Sequence, residues 1–396
     1  MKNKITIQDI LVRHFPEYEL IHDLPSYVLE AAQRLIDCRT SALGGHKYYC
    51  PECDKEEIVY NPCHHRICPQ CSHIAKDEWL KVQTNRMIAT NYYHVVFTIP
   101  SEFNMYWLKN KKIMTDILFE SVKETLLQMC GNEELLGVLP GIIATLHTWG
   151  STLALHPHIH CLITDGGLTK DGKWKRGRRG KESKKGFLLP IKSNGVMGVF
   201  RAKFIFKMIG SLRRNKLVIP IEHLNKTTKE IESIYSKLKD KKWNVDIRER
   251  YQHGNGVAKY LANYLKGGAI GNSRIKSCKN EQVTFSYKNS RKNRKKELMT
   301  LDVHEFIRRL LLHVPEKRQR LVRYYGIFSS NKKHLLNKAR NLFGQPAVKK
   351  IEKIKKEVIC KTCGHKLRMI DEIEPIRRTN ILNYRRYKMT SIKKAI

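Results

Sequence analysis

Residues 156–164 (HPHIHCLIT) alternate at strand period: His156, His158 and His160 fall on one face, and Ile159, Cys161 and Ile163 on the other. The pattern predicts a strand with an apolar back against a core and a histidine front facing a site. Residues 141–149 (GIIATLHTW) read as a second strand. The short turn between them, with Gly150 and Ser151, makes the two antiparallel neighbours. Residues 92–99 (YYHVVFTI) are β-branched and aromatic and stop at Pro100, so they predict a third, buried strand. Helical spacing marks 7–14, 26–37 with Ser26 as N-cap, 101–129, 200–212, 225–239 and 302–312 with Asp302 as N-cap. Short strands are expected at 187–191, 243–248 and 282–287, and a Lys-rich helical stretch beyond 330. Together these give an α+β fold, a central antiparallel β-sheet with helices on one side.

Charge narrows the partner. The 396 residues carry 75 Lys and Arg against 37 Asp and Glu, a formal net charge of +38. An excess of that size points to a polyanion, nucleic acid first. No apolar run reaches 18 residues, so no membrane span is predicted; the chain reads as cytoplasmic, and nucleoid-associated when bound to DNA. A basic stretch follows the histidine strand, with Lys170, Lys173, Lys175, Arg176, Arg178, Arg179, Lys181, Lys184 and Lys185. It reads either as a loop or hairpin beside the site that neutralises phosphates, or as a solvated surface loop. Arg323, Tyr324 and Tyr325 fit base stacking and core packing equally. Residues 375–396 read as a disordered basic arm.

Eleven cysteines in a chain read as cytoplasmic point to metal ligation more than to disulfides. Cys50–Cys53 and Cys68–Cys71 are two C-x-x-C knuckles separated by fourteen residues. That spacing predicts one closed, tetrahedral structural zinc site with no open coordination position. Cys38, His46, Cys63, His64, His65 and His73 crowd the same segment and offer ligands for a second zinc. Lys47, Arg66, Lys76 and Lys81 make this module a candidate DNA-binding head. Cys360 and Cys363 form a lone knuckle with no evident second pair, vestigial or completed by His365.

Gly254 and Gly256 before, and Gly267 and Gly268 after, bracket a predicted three-turn helix with Val257, Ala258, Leu261, Ala262 and Leu265 as its apolar stripe. Tyr260 and Tyr264 stack on one edge of that stripe, with Lys259 and Asn263 on the next arc. Seen alone, such a pair fits the rim of a core, and an isolated H-x-H fits a strand end without metal. Together they describe a chemistry. A phenolate attacking a DNA phosphodiester needs a divalent ion, Mg or Mn, to polarise the phosphate and stabilise the leaving 3′-oxygen. The 5′-phosphotyrosine so formed keeps the bond energy, and a later 3′-hydroxyl can rejoin the strand.

His158–Ile159–His160 with a downstream Tyr-x-x-x-Tyr helix resembles the HUH (His-hydrophobe-His) single-strand endonucleases. CRTSALGGH with CPEC, NPC and CPQC, then LHPHIHCLITDGG, GVAKYLANYLKGG and LVRYYGIFSS, resemble the rolling-circle transposases of the insertion-sequence 91 group over about residues 20–330. The resemblance implies that His158 and His160 ligate the metal and that Tyr260 and Tyr264 are nucleophiles nicking single-stranded DNA. It makes Cys38, His46, Cys50, Cys53, Cys63, Cys68 and Cys71 the zinc-module ligands. The family often has a histidine directly before the second knuckle where this chain has Ile67, which leaves His64 or His65 as a substitute. A third catalytic-metal ligand is expected, from Asn263 or His156. The implied organisation is a zinc-binding DNA-recognition module over 1–85, a nuclease domain over 90–330 and a basic tail over 331–396. The rival readings are a replication initiator or relaxase of the same chemistry, a non-catalytic zinc-binding DNA-binding protein, and a hydrolase with a zinc held by three histidines.

Overall fold

The computed structural model describes residues 5–177, 193–241, 243–251, 268–289, 292–349 and 357–376. Its helices are α1 (Ile7–Ile21), α2 (Ser26–Asp37), α3 (Ser72–Arg86), α4 (Asn104–Lys109), α5 (Lys111–Gly131), α6 (Ser193–Arg213), α7 (Thr228–Ser236), α8 (Val303–Leu312) and α9 (Lys333–Asn341). Its strands are β1 (Gly45–Cys50), β2 (Lys55–Tyr60), β3 (Tyr92–Thr98), β4 (Gly141–Trp149), β5 (Leu155–Thr164), β6 (Gly167–Leu168), β7 (Trp174–Lys175), β8 (Asn244–Tyr251), β9 (Ile275–Lys279), β10 (Gln282–Asn289), β11 (Lys295–Asp302), β12 (Val322–Gly326) and β13 (Arg368–Ile373).

A five-stranded sheet in the order β12–β4–β5–β3–β8 lies at the centre, and every neighbouring pair is antiparallel. One face carries Val95, Phe97, Ala144, Leu146, Ile159 and Cys161, all packed in one core with Phe119 and Val122 of α5 and Phe200 and Phe204 of α6. Each fully buried side chain of this kind contributes roughly 1.5–3 kcal/mol. Sliding β5 by one residue would drive its histidines into that core, so the packing fixes the register. On the other face Tyr92, Ile143 and Leu162 pack with Ile327, Leu336 and Ala339, so α9 covers one end of it. The histidines stand at the other end of that face.

A second core joins α1 and α2 to Cys38, Cys63, Cys68 and Cys71, and these to Phe285 of β10 and Phe306 and Leu310 of α8. The N-terminal helices therefore share a core with residues 269–314, across the boundary expected near residue 85. A three-stranded sheet, β13–β1–β2, brings residues 368–373 from the C-terminal region onto the N-terminal hairpin.

Several boundaries differ from expectation. Helix α1 continues past residue 14 through Pro16 to Ile21, started by a Thr6–Asp9 capping box and held by the buried Phe15 and Tyr18. That burial outweighs the loss of one backbone donor. Ser26 is the first residue of α2, and its N-cap is Pro25, with no side-chain cap bond. The helix expected over 101–129 breaks at Asn110, whose side chain donates to the carbonyls of Tyr106 (3.1 Å) and Val218 (2.9 Å) and accepts from Val218 N–H (2.8 Å). Asp302 caps α8 by accepting from the amides of His304 and Glu305, as its sequence predicts. Tyr324 and Tyr325 lie on edge strand β12, where Tyr324 accepts from Trp79 Nε1 at 3.2 Å, an arrangement of core packing. The expected strand at 187–191 and the arm from residue 377 lie outside the described residues.

Thr164, fully buried at the end of β5, accepts from Gly141 N–H at 2.9 Å and donates to the Gly166 carbonyl at 2.7 Å. Thr164→Val keeps the shape and orphans both backbone groups. The expected cost is about 1–3 kcal/mol in chemical denaturation; an unchanged midpoint would show that water replaces the hydroxyl.

Candidate functional site

Three imidazoles meet on the open end of the sheet's front face. Antiparallel register sets His147 of β4 directly opposite His158 of β5, and His160 follows two residues on. The Nε2 atoms of His158 and His160 are 3.0 Å apart. A ring nitrogen from each of His147, His158 and His160 lies within 4.8 Å of the others. Two ligands about 2.1 Å from an ion and at right angles to one another would sit about 3.0 Å apart, as octahedral ions require. The donor set therefore fits a divalent ion.

Both β5 rings are oriented through their other nitrogen. His158 Nδ1 donates to its neighbour's carbonyl, that of His156, at 2.6 Å. His160 Nδ1 lies 2.8 Å from Nε2 of His94, a buried histidine on β3. With Nδ1–H as the donor in both cases, each Nε2 carries the lone pair that a metal ligand requires. Asp246 of β8 is opposite Val96, itself opposite His160, so alternation puts a carboxylate on the same face two strands away. The turn behind the site is pinned by His313, whose Nε2 donates to Leu153 O (2.9 Å) and whose Nδ1 accepts from Thr148 (3.1 Å). Burial pushes His313 down to about 4, which keeps it neutral for that pairing.

His147 and His94 were missed by the sequence reading. A turn centred on residues 152–153 pairs 147 with 158, so His147 was recoverable from the hairpin; His94 depends on the β3–β5 register, which no local pattern encodes. His156, expected as an alternative third ligand, lies beside His158 with ring centroids 5.1 Å apart, but is not among the three converging imidazoles. Tyr260, Tyr264, Asn263 and Lys259, like Arg178 and Arg179, lie outside the described residues. Lys173, Lys175 and Arg176 are exposed, with Lys175 on the β6–β7 hairpin and Lys173 bound to Asp171 at 3.2 Å. That hairpin is rooted beyond Thr164, six residues along β5 from His158, about 20 Å at strand rise. It flanks the sheet end opposite the histidine front.

The cysteines group differently from the expected four. Cys38, Cys63, Cys68 and Cys71 converge in one cluster, and Cys50 and Cys53 converge with Cys360 and Cys363 in another. The two knuckles thus belong to separate sites, and the C-terminal knuckle has a partner. Chain direction explains it: β1 and β2 carry Cys50 and Cys53 away from the helices, while Cys38 at the end of α2 and Cys63 after β2 stay beside the second knuckle. His46 belongs to neither cluster, and its buried Nδ1 has no hydrogen-bond partner among the described residues. His65, half-buried and pushed down to about 4 by that loss of solvent, is also outside them, as are His64 and His73. Four sulfurs about 2.3 Å from a tetrahedral ion lie about 3.8 Å apart; Cys63 Sγ and Cys71 Sγ are 3.6 Å apart. In the same cluster, hydrogen bonding from Cys63 first, then Cys68, lowers the Cys38 thiol, and the bond with Cys38 raises Cys63 in turn. These four residues fit zinc.

Comparison with known proteins places this geometry in a family. Residues 10–99 match the family described as "Transposase zinc-binding domain", of the insertion-sequence 91 type, and residues 141–334 match "Putative transposase". The chain is 31% identical to "Putative transposase y4qJ" of Sinorhizobium fredii over 85% of its own length and 84% of that protein's. It is 28% identical to "Transposase for insertion sequence element IS801" of Pseudomonas savastanoi pv. phaseolicola, over 76% of its length and 70% of that protein's. No solved structure matches. The chain belongs to the insertion-sequence 91 group of transposases, with an N-terminal zinc-binding module. It is a transposase of a rolling-circle element, and DNA is its partner. No helix among the described residues is long and apolar enough to cross a membrane.

Cys63→Ser should remove one zinc per chain and lower the melting temperature by on the order of 10 °C, since the bound ion is worth several kcal/mol to the fold. Elemental analysis with calorimetry checks this. Retained zinc and an unchanged transition would rule out the Cys38–Cys63–Cys68–Cys71 assignment.

Proposed function

We propose that this transposase nicks and rejoins single-stranded DNA at element ends through 5′-phosphotyrosine links, with His147, His158 and His160 holding a Mg or Mn ion. The observation that carries the reading is the pair of Nε2 atoms 3.0 Å apart, each ring anchored through Nδ1, with His147 closing on them. On this reading His147 takes the part the sequence left to Asn263 or His156. A bound ion would polarise the scissile phosphate and stabilise charge on the departing 3′-oxygen.

Tyr260 and Tyr264 act as nucleophiles. The phenolate oxygen of one forms a bond to phosphorus, the P–O3′ bond breaks, and the 3′-oxygen leaves as a hydroxyl after taking a proton. A free 3′-hydroxyl then attacks the phosphotyrosine and returns the phenol. Two tyrosines four residues apart allow two such exchanges in one site. Support comes from the sequence: the Tyr-x-x-x-Tyr pair follows β8, whose last residue, Tyr251, has its ring centroid 6.4 Å from that of His94. Lys259 and the basic residues Lys173, Lys175, Arg176, Arg178 and Arg179 supply phosphate contacts, with the hairpin binding strand away from the cleavage point.

Labelled single-stranded element ends incubated with Mg or Mn and run on a denaturing gel test this. Wild type should form a covalent adduct, Tyr260→Phe/Tyr264→Phe none, and each single variant should assign its nucleophile. His158→Ala should bind DNA yet form no adduct. Tight binding without an adduct in wild type would leave a non-catalytic DNA-binding protein. His94→Ala should weaken metal affinity about 10–100-fold, the usual effect of losing an outer-shell partner. Calorimetric titration with Mn measures it, and unchanged affinity would remove His94 from the site.

A further inference from the structure

We propose that Cys50, Cys53, Cys360 and Cys363 form a second tetrathiolate zinc site, one that closes only between the two ends of the chain and clips the C-terminal strand onto the N-terminal module. The matched zinc-binding domain ends at residue 99, so it contains only half of these ligands.

The geometry has three independent parts. Cys50 Sγ is 3.5 Å from Cys363 Sγ, and Cys360 Sγ is 4.0 Å from Cys53 Sγ. These bracket the roughly 3.8 Å edge of a zinc–sulfur tetrahedron and far exceed the roughly 2.0 Å of a disulfide. Each pair comes from a tight C-x-x-C turn; in one, Thr362 N–H donates to Cys360 Sγ at 3.4 Å, and Cys360 N–H to the His365 carbonyl at 2.8 Å. Second, the receiving surface is built for the strand. Gly44 sits at φ +67°, and a Cβ there would come within 2.4 Å of the Ile373 carbonyl oxygen and 2.8 Å of Pro375 N. Only glycine allows β13 to lie where it does. β1 then pairs with β13 from Gly45↔Ile373 to Tyr49↔Arg368, and Lys361 pairs with Glu57 across the same junction.

Third, little else holds the strand. All but one of its six residues are exposed, and the local core consists of Cys50, Cys360 and Leu367, with Tyr48, Cys53 and Val358 against it. A core this small needs a staple. Four thiolates around one divalent ion supply it and satisfy sulfurs that would otherwise be four neighbouring thiols. The clip also fixes the root of residues 377–396, which hold seven Lys or Arg and no acidic residue, on the module read as the DNA-recognition head.

Zinc content is best counted in full-length His158→Ala protein with Mg present, so that the imidazole site contributes none. Two zinc ions per chain are expected. Cys360→Ser/Cys363→Ser should bind one and speed amide exchange in 368–373 and 45–50 at least tenfold, with 155–164 unchanged. Cys363→His, which replaces a thiolate by another zinc ligand, should restore the second ion and the slow exchange. One zinc per chain before any cysteine is changed, with Cys360 and Cys363 alkylated as fast as free thiols, would overturn the proposal. So would two zinc ions in the double variant. The alkylation measurement needs no cysteine variant to fold, and none of these readouts depends on DNA cleavage.

Discussion

The structure depends on β5 serving two environments at once. Ile159, Cys161 and Ile163 are fully buried against the helical layer, while His158 and His160 stand on the opposite face. Because side chains alternate strictly along a strand, the force that buries one set presents the other. The central position of β5, between β4 and β3, then decides which side chains join the histidines. β4 contributes His147 to the converging imidazoles, and β3 contributes His94, which holds the His160 ring. The hydrophobic effect, which carries no directional information, thus places four imidazoles through the register of backbone hydrogen bonds.

Charge sets the second constraint. A chain with a net charge of +38 repels itself when compact, and its basic segments favour DNA over its own surface. Several local ion pairs relieve this, among them Arg323 with Asp116, Arg213 with Glu232 and Arg309 with Glu305, yet exposed pairs contribute little each. Thiolate clusters act differently. Each brings four sulfurs from distant positions together, and an ion held there stabilises the fold without a large apolar core. The first cluster is embedded in the core shared by α1, α2 and α8, and the second lies at the junction of β1, β2 and β13.

The module that carries these cysteines is consequently not a separate bead. α1 and α2 pack on residues 269–314, Trp79 and Arg86 of α3 bond to Tyr324 and to the Phe328 carbonyl, and the backbone carbonyl of Lys349 accepts from Asn85. The zinc-binding module and the central sheet are coupled through α3 and β12.

Much of this was legible in the sequence, for a physical reason. Period-two alternation gave β5 and its His158–His160 face, because a strand between a core and an open face cannot hide its pattern, and the β-branched and aromatic run at 92–99 gave the fully buried β3. Asp302 marked the start of α8 because a carboxylate at an N-cap meets free amides. The C-x-x-C spacing pointed to metal ligation, since a tight turn can set two sulfurs on one ion. Which turns meet was decided only by tertiary structure: Cys50 and Cys53 find Cys360 and Cys363 across some three hundred residues, and no spacing encodes that distance. His94 and Asp246 joined the histidine face through the pairing of β3 with β5 and β8, which is fixed by core packing rather than by neighbours in the chain. Local sequence determined which side chains could do chemistry; long-range packing decided which of them meet.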